Sequence, residues 1–489
     1  MIIGFGAKNI KACNIEELLD IKPITIFMGE NSSGKSSFLQ ALSLLSMNEI
    51  LGNDIKRIKY NNPFHKLGKV YEFKSKDNHV YLSFKFKDKQ KNIYDISFFY
   101  NNDIKSDDYG YLNNIMIYTK HTKQNLSIVY AKGDYFIYLD SLIGEDNKKY
   151  FSKTILDNST KILFKTDFDS LQLDSYPKEI EDEIIKHIEA FKKLEELLKD
   201  IFEILKDNIS SIQHISRVKE IITHYNYSSD YIGYNGEKYK DIAKDLENTV
   251  FLEKAIKNIF NYNLDKIDEF GNCYLNQKTQ VQIFKKRQDN KYYYFKNLGL
   301  SENPLKVKEI DNKIFLIKED EEIELLKVNE ESNLISYSYH EDISLGLDMF
   351  GSSVSNIIPA LTQFAKNREN PEKYNLTIIE EPEIGLHPQA QAKLVETLFG
   401  EDDYYKTQTT ILETHSEYIV NKLRYLVYKG KIKPEEVVIY YKQQDNDEFI
   451  QINIDKFGQF DRDFPKNFFD VTLNELLEMK RAKRKNVSS

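Results

Sequence analysis

An α/β fold is what this sequence predicts, and three features predict it. Near the N-terminus a β-prone run, Ile24-Thr25-Ile26-Phe27-Met28, passes through a glycine-bearing loop into Phe38–Leu45, whose apolar residues have helical spacing. Near the C-terminus the apolar runs Leu376–Ile379, Thr409–Leu412 and Val437–Tyr441 follow a helix expected from about residue 354. Between these two α/β regions lies a long mixture of short strands and long helical patterns with no chemical motif of its own.

The elements follow in order. Residues 1–75 open with an extended stretch, Ile2–Cys13, before the loop and its helix. Residues 76–338 read as an α+β insertion. Val80-Tyr81-Leu82-Ser83-Phe84-Lys85-Phe86 alternates as a half-buried strand should. A helical arm is expected over about 177–262, because apolar residues there recur at three- and four-residue spacing through 177–208 and again through 239–262. Strands such as Lys313–Ile317 return before residue 330. Residues 339–489 carry the second α/β region and a C-terminal extension that ends in the basic run Lys480–Lys485.

Composition excludes several classes. At 41% hydrophobic and 13% aromatic, the 489-residue chain can bury a large core, so wholesale disorder is excluded. Two cysteines, Cys13 and Cys273, are too few for a disulfide framework or a cysteine-based zinc site. The longest apolar runs fall short of the roughly 18 residues a spanning helix needs, and the first residues do not resemble a secretory signal. A cytoplasmic protein with no membrane contact is expected. Acidic residues outnumber basic ones by 77 to 68, a net charge of −9. Overall charge therefore gives no support to DNA binding, which would need a local basic patch.

Chemistry concentrates in four places. Gly29 to Ser36 fits G-x-x-x-x-G-K-[S/T] between a strand and a helix, the order a phosphate-binding loop requires. Gly29 and Gly34 let the backbone N–H groups of Asn31, Ser32, Ser33 and Ser37 turn toward phosphate oxygens. Lys35 supplies charge for the β- and γ-phosphates, and Ser36 a hydroxyl for Mg²⁺. Such a loop serves kinases, GTPases and ATPases alike. The strand Leu376–Ile379 then ends in Glu380-Glu381-Pro382, which offers Glu380 to the metal and Glu381 as the base for an attacking water. Ile411-Leu412-Glu413-Thr414-His415-Ser416 is another strand ending in a polar cluster, where a neutral His415 can contact a γ-phosphate oxygen. Phe350-Gly351-Ser352-Ser353-Val354-Ser355 is a Gly/Ser turn opening a helix, an anion-binding arrangement.

Taken together, GENSSGKSSFLQAL, FGSSVSNIIPAL, IIEEPEIGLHP and ETHSEYIVNKLR resemble the ABC-type ATPase head shared by SMC, RecF and OLD proteins. They are most similar to the prokaryotic OLD-like AAA ATPases, many of which occur in anti-phage defence systems. The resemblance covers roughly residues 1–75 and 340–475 and thins to fragments between them. It implies ATP and Mg²⁺ as ligands. It also implies a homodimer, or a higher homo-oligomer, in which Gly351, Ser353 and Ser355 of one subunit close over the phosphate loop of another. A protein effector such as a nuclease is the implied partner, since the stretch after His415 is too short for a built-in Toprim nuclease. DNA-end binding of the RecF or SMC kind, and an ATP-binding scaffold with little turnover, are the alternatives. The chain departs from the pattern with Ser353 where the signature has a second glycine. It has Glu380 where many heads have Asp, and His214-Ile215-Ser216-Arg217-Val218-Lys219-Glu220 where relatives read close to YIGPLRE.

Overall fold

The computed structural model describes residues 1–11, 13–50, 55–61, 67, 79–102, 109–120, 124–131, 134–140, 150–156, 162–163, 196–216, 239–288, 291–295, 305–310, 313–318, 321–331, 334–347, 352–371, 376–462 and 464. Gly351, the segment 177–195 of the expected helical arm, Arg217–Glu220 and the basic tail lie outside the described residues.

A six-stranded sheet forms the centre. Its order is Ile212–Ile215, Leu376–Glu380, Thr409–Glu413, Ile24–Gly29, Val437–Lys442, Ile450–Ile452. The first five run parallel and the last is antiparallel. The loop strand and the acidic strand are not neighbours, because Thr409–Glu413 lies between them. Every residue of the five parallel strands is buried. That is why they read as continuous apolar runs: a parallel sheet is covered on both faces.

Alternation along Ile24–Gly29 divides two cores. Phe27 faces the first, together with Tyr440, Ile378 and Ile411. There the helix Lys35–Ile50 lies between the central sheet and a ten-stranded antiparallel sheet. Phe38 on that helix meets Phe27 at 5.3 Å and Phe5 of the outer sheet at 5.1 Å between ring centroids. Residues 196–210 are helical and bury Leu198, Ile201, Phe202 and Leu205 in the same core. Ile24, Ile26 and Met28 face the second core, which the helices Tyr239–Lys244, Val250–Phe260, Ser352–Glu369, Pro388–Phe399 and Glu417–Tyr428 cover.

The ten-stranded sheet draws strands from both sides of the phosphate loop. Ile2–Ile10 pairs with Cys13–Asp20 on one edge and with His79–Lys87 on the other, so residues on either side of position 75 share one sheet. A third, seven-stranded antiparallel sheet spans 263–346, with a small core of Ile283, Tyr294, Ile314, Leu316 and Leu325. Its long pair Cys273–Gln288 and Leu334–Gly346 feeds the chain toward the helix that starts at Ser352. Cys13 and Cys273 are buried free thiols. Among the described residues no helix is long and apolar enough to cross a membrane.

Candidate functional site

The parallel strands Leu376–Glu380, Thr409–Glu413 and Ile24–Gly29 end side by side, and their C-terminal ends gather the polar residues that the apolar strands cannot hold inside the sheet. In an open α/β sheet this carboxyl edge is where a ligand site forms.

The loop strand stops at Gly29, whose φ of +136° lies outside the range that side-chain-bearing residues favour. A Cβ there would stand 2.0 Å from the Lys442 carbonyl oxygen, which accepts the Glu30 N–H at 3.0 Å. Glycine thus lets the chain turn directly against the neighbouring strand. Ser32 at φ +60° and Gly34 at +102° complete the turn. The helix begins at Lys35, and the Phe38 N–H donates to the Gly34 carbonyl at 3.0 Å. The helix N-terminus is thereby aimed at the loop's concave side.

Lys35 is 3% exposed and its Nζ donates to the Glu30 and Gly29 carbonyls at 2.7 and 3.1 Å. Burial lowers its pKa, while the charges of Glu413, Glu381 and Glu30 pull it back up. The Ser36 hydroxyl donates to Glu413 Oε1 at 2.8 Å. Asn31 and Ser32 are exposed, whereas Ser33 and Ser37 are buried.

Glu380 and Glu413 are register partners on adjacent strands, and the Glu381 N–H donates to the Glu413 carbonyl at 2.7 Å. Glu381 sits at φ +44°, a left-handed conformation that costs a non-glycine residue free energy and turns the chain out of the sheet after Glu380. Its carboxylate, one from Glu413 and a ring nitrogen of His415 have ligand atoms within 4.8 Å of one another. Lys35, Ser36, Glu380, Glu381 and His415 therefore share one edge of the sheet. Ser353 lies in the first turn of its helix. Its Cα would lie 3.4 Å from a Cβ on Gly385, in the loop after the acidic strand. Ser355 is on the same helix, and Gly351 precedes the described part of it.

Three residues join the site that sequence reasoning passed over. His214 comes from the edge strand Ile212–Ile215, is wholly buried, and stands 2.9 Å from Glu380 Oε1 through Nε2 and 2.7 Å from Ser43 Oγ through Nδ1. Burial pushes its pKa down to about 3, so the ring is neutral. With its partners so placed, Nε2–H donates to Glu380 and Nδ1 accepts from Ser43, an assignment made from the hydrogen bonds. Glu413 is 2% exposed, and burial together with the Glu380 charge pushes its pKa up to about 8, against the Ser36 hydrogen bond and Lys35. Glu383 accepts the His415 N–H at 2.7 Å, and burial raises its pKa too. The sequence held one faint signal for Glu413: an acid closing an otherwise apolar strand, in the same place as Glu380. Nothing local marked His214, whose partners are 166 and 171 positions away.

The arrangement offers a positive charge and backbone N–H groups for phosphate on one side. On the other it offers hydroxyl and carboxylate oxygens, the hard donors Mg²⁺ takes. A family model described as an AAA ATPase domain matches residues 8–420, running through the middle of the chain where the sequence resemblance thinned. A second model, described as a protein of unknown function (DUF3696), matches 432–479. Endonuclease GajA of Bacillus cereus (strain HuB5-5) is 23% identical over 334 residues, 58% of this chain and 47% of that protein. The OLD nuclease of Thermus scotoductus (strain ATCC 700910 / SA-01) is 31% identical over 153 residues, 31% of this chain and 28% of that one. The chain thus spans less than half the length of these curated relatives. Among solved structures, the SMC head domain from Thermotoga maritima gives a TM-score of 0.35 at 9% identity, over 93% of this chain and 99% of that one. A RecF structure gives 0.31 at 11%, over 90% and 95%.

Proposed function

The chain belongs to the AAA ATPase domain family, and from that premise we propose that it binds ATP at Gly29–Ser37 and hydrolyses it at the carboxyl edge of the central sheet. The observation that carries this reading is the convergence of Lys35 and Ser36, at the start of the helix after one strand, with Glu380, Glu381 and His415, at the ends of two others, on that edge. The loop N–H groups and Lys35 hold the phosphates. For this Lys35 exchanges the carbonyls of Gly29 and Glu30 for phosphate oxygens. Ser36 and Glu380 would hold Mg²⁺, which supplies charge neutralisation at the phosphate oxygens. Glu381, at a φ of +44° directly after the acidic strand, accepts the proton of the attacking water. His415, fixed through its N–H to Glu383, reads the γ-phosphate.

Ser353 and Ser355, with Gly351, would serve the phosphates of a second subunit, so ATP favours a closed homodimer and hydrolysis releases it. The nucleotide-driven dimer would control a protein effector. The GajA and OLD relatives are named as nucleases, which supports a nuclease as that effector, in a cytoplasmic anti-phage role.

Phosphate release from ATP with Mg²⁺ tests the proposal. Wild type should turn over, Lys35→Ala should not, and Glu381→Gln should lose about a hundredfold or more while still dimerising with ATP in light-scattering chromatography. Equal turnover in wild type and Lys35→Ala would overturn it.

A further inference from the structure

Glu413 has no role in the mechanism above, yet it is the most buried carboxylate of the site. Its Oε1 takes the Ser36 hydroxyl, and its Oε2 is buried without a hydrogen-bond partner. Neither protonation state resolves that. Ionised, Oε2 is a buried acceptor with no donor; protonated, it is a donor with no acceptor, and either costs free energy. A group in that position is completed by something from outside the chain. Glu413 has one ligand atom within 4.8 Å of those of Glu381 and His415. Two ligands on one divalent ion at about 2.1 Å stand roughly 3 to 4 Å apart. The cluster is therefore within a small side-chain adjustment of coordinating geometry.

We propose that Glu381, Glu413 and His415 form a divalent-cation site that fills in the absence of nucleotide and prefers a first-row metal such as Mn²⁺ to Mg²⁺. Two carboxylates and an imidazole are its donors. The nitrogen donor sets the preference, because Mg²⁺ takes oxygen ligands and gives up its waters reluctantly, whereas imidazole suits first-row transition metals. Glu380 adds negative charge beside the cluster, on the strand next to Glu413. The Ser36–Glu413 hydrogen bond joins this cation to the phosphate loop, so its arrival would free or reorient the hydroxyl that the nucleotide's own metal uses. The site goes beyond the nucleotide reading and does not depend on it, since the cation is counted in nucleotide-free protein.

Titration of the nucleotide-free full chain with Mn²⁺, following free Mn²⁺ by electron paramagnetic resonance, tests this. About one Mn²⁺ per chain is expected. Affinity should fall tenfold or more in Glu413→Gln, whose circular dichroism and binding of a fluorescent ATP analogue in EDTA report that it is folded. Mg²⁺ should compete only at tenfold or greater excess, and His415→Ala should erase that discrimination. Lys35→Ala should keep the Mn²⁺ site while losing ATP. Equal Mn²⁺ affinity in wild type and Glu413→Gln, or Mn²⁺ uptake only after ATP is added, would overturn the proposal. Mn²⁺ binding by a wild type that takes no ATP would instead defeat the nucleotide reading alone.

Discussion

Removing the imidazole of His214 gives the sharpest test of how the acidic strand is held. In His214→Ala, Glu380 loses a donor at 2.9 Å from a residue with no exposed surface. Breaking a buried pair by deleting one member costs about 3–5 kcal/mol, because a polar group is left uncompensated in low dielectric. The lower figure applies here: Glu380 keeps 8% exposure, and Ser43 can turn its hydroxyl to the Leu39 carbonyl at 3.2 Å. A loss of about 3 kcal/mol is expected in urea unfolding. His214→Gln, which restores a donor of similar reach, should lose about 1 kcal/mol. The pH dependence is a second, independent reading. Burial holds the folded-state pKa of His214 at about 3, below its ordinary 6.5. The neutral ring's contribution is fully present above about pH 6.5 and drains away as the pH falls from there toward 3, since only the unfolded chain takes up the proton. Between pH 7.5 and pH 5 the advantage of wild type over His214→Gln should fall by ~2 kcal/mol, from about 1 kcal/mol in favour of wild type to about 1 kcal/mol in favour of the variant. An advantage that stays constant, or that grows as the pH drops, would mean that an imidazolium paired with Glu380 is the stable form and would refute the reasoning.

Other outcomes follow from the same geometry. Gly29→Ala should cost about 3 kcal/mol or more and abolish nucleotide binding, because its Cβ would overlap the Lys442 carbonyl at a φ of +136°; thermal shift and fluorescent-nucleotide titration read both effects. Phe38→Ala empties the aromatic contact between the loop helix, the central sheet and the outer sheet. It should cost about 3–5 kcal/mol in urea unfolding while leaving every polar group of the loop in place.

Much of this was readable from local pattern. The strand–glycine loop–helix unit, the strand that ends in Glu380-Glu381 and the strand before His415 all stand where hydrophobic runs and turn residues put them, because each is fixed by neighbours a few positions away. The segment about Cys13 was readable only as extended. The structure breaks it into Ile2–Ile10 and Cys13–Asp20, with Lys11 at φ +51° in the turn. His214 was illegible as a site residue, and Glu413 barely legible, for one reason. A histidine or glutamate on a strand is ordinary until one knows which strand lies beside it, and strand order is not written in local periodicity.

By itself the sequence determined the chemical groups: glycines that can turn, a lysine and a serine for phosphate and cation, paired carboxylates, a histidine. The pleat of a strand puts neighbours such as Phe27 and Ile26 on opposite faces, and the fold supplies a core for each. Tertiary structure decided the rest. It set Thr409–Glu413 between the loop strand and the acidic strand, brought Ile212–Ile215 in as the edge, and joined strands from both sides of the loop into one outer sheet. The physical reason is that chemical identity belongs to a single residue, whereas burial, dielectric and hydrogen-bond partners belong to the neighbours that folding supplies. Glu413 carries the same carboxylate as any exposed glutamate. Only the fold makes it a buried oxygen beside Ser36 with half its bonding unmet.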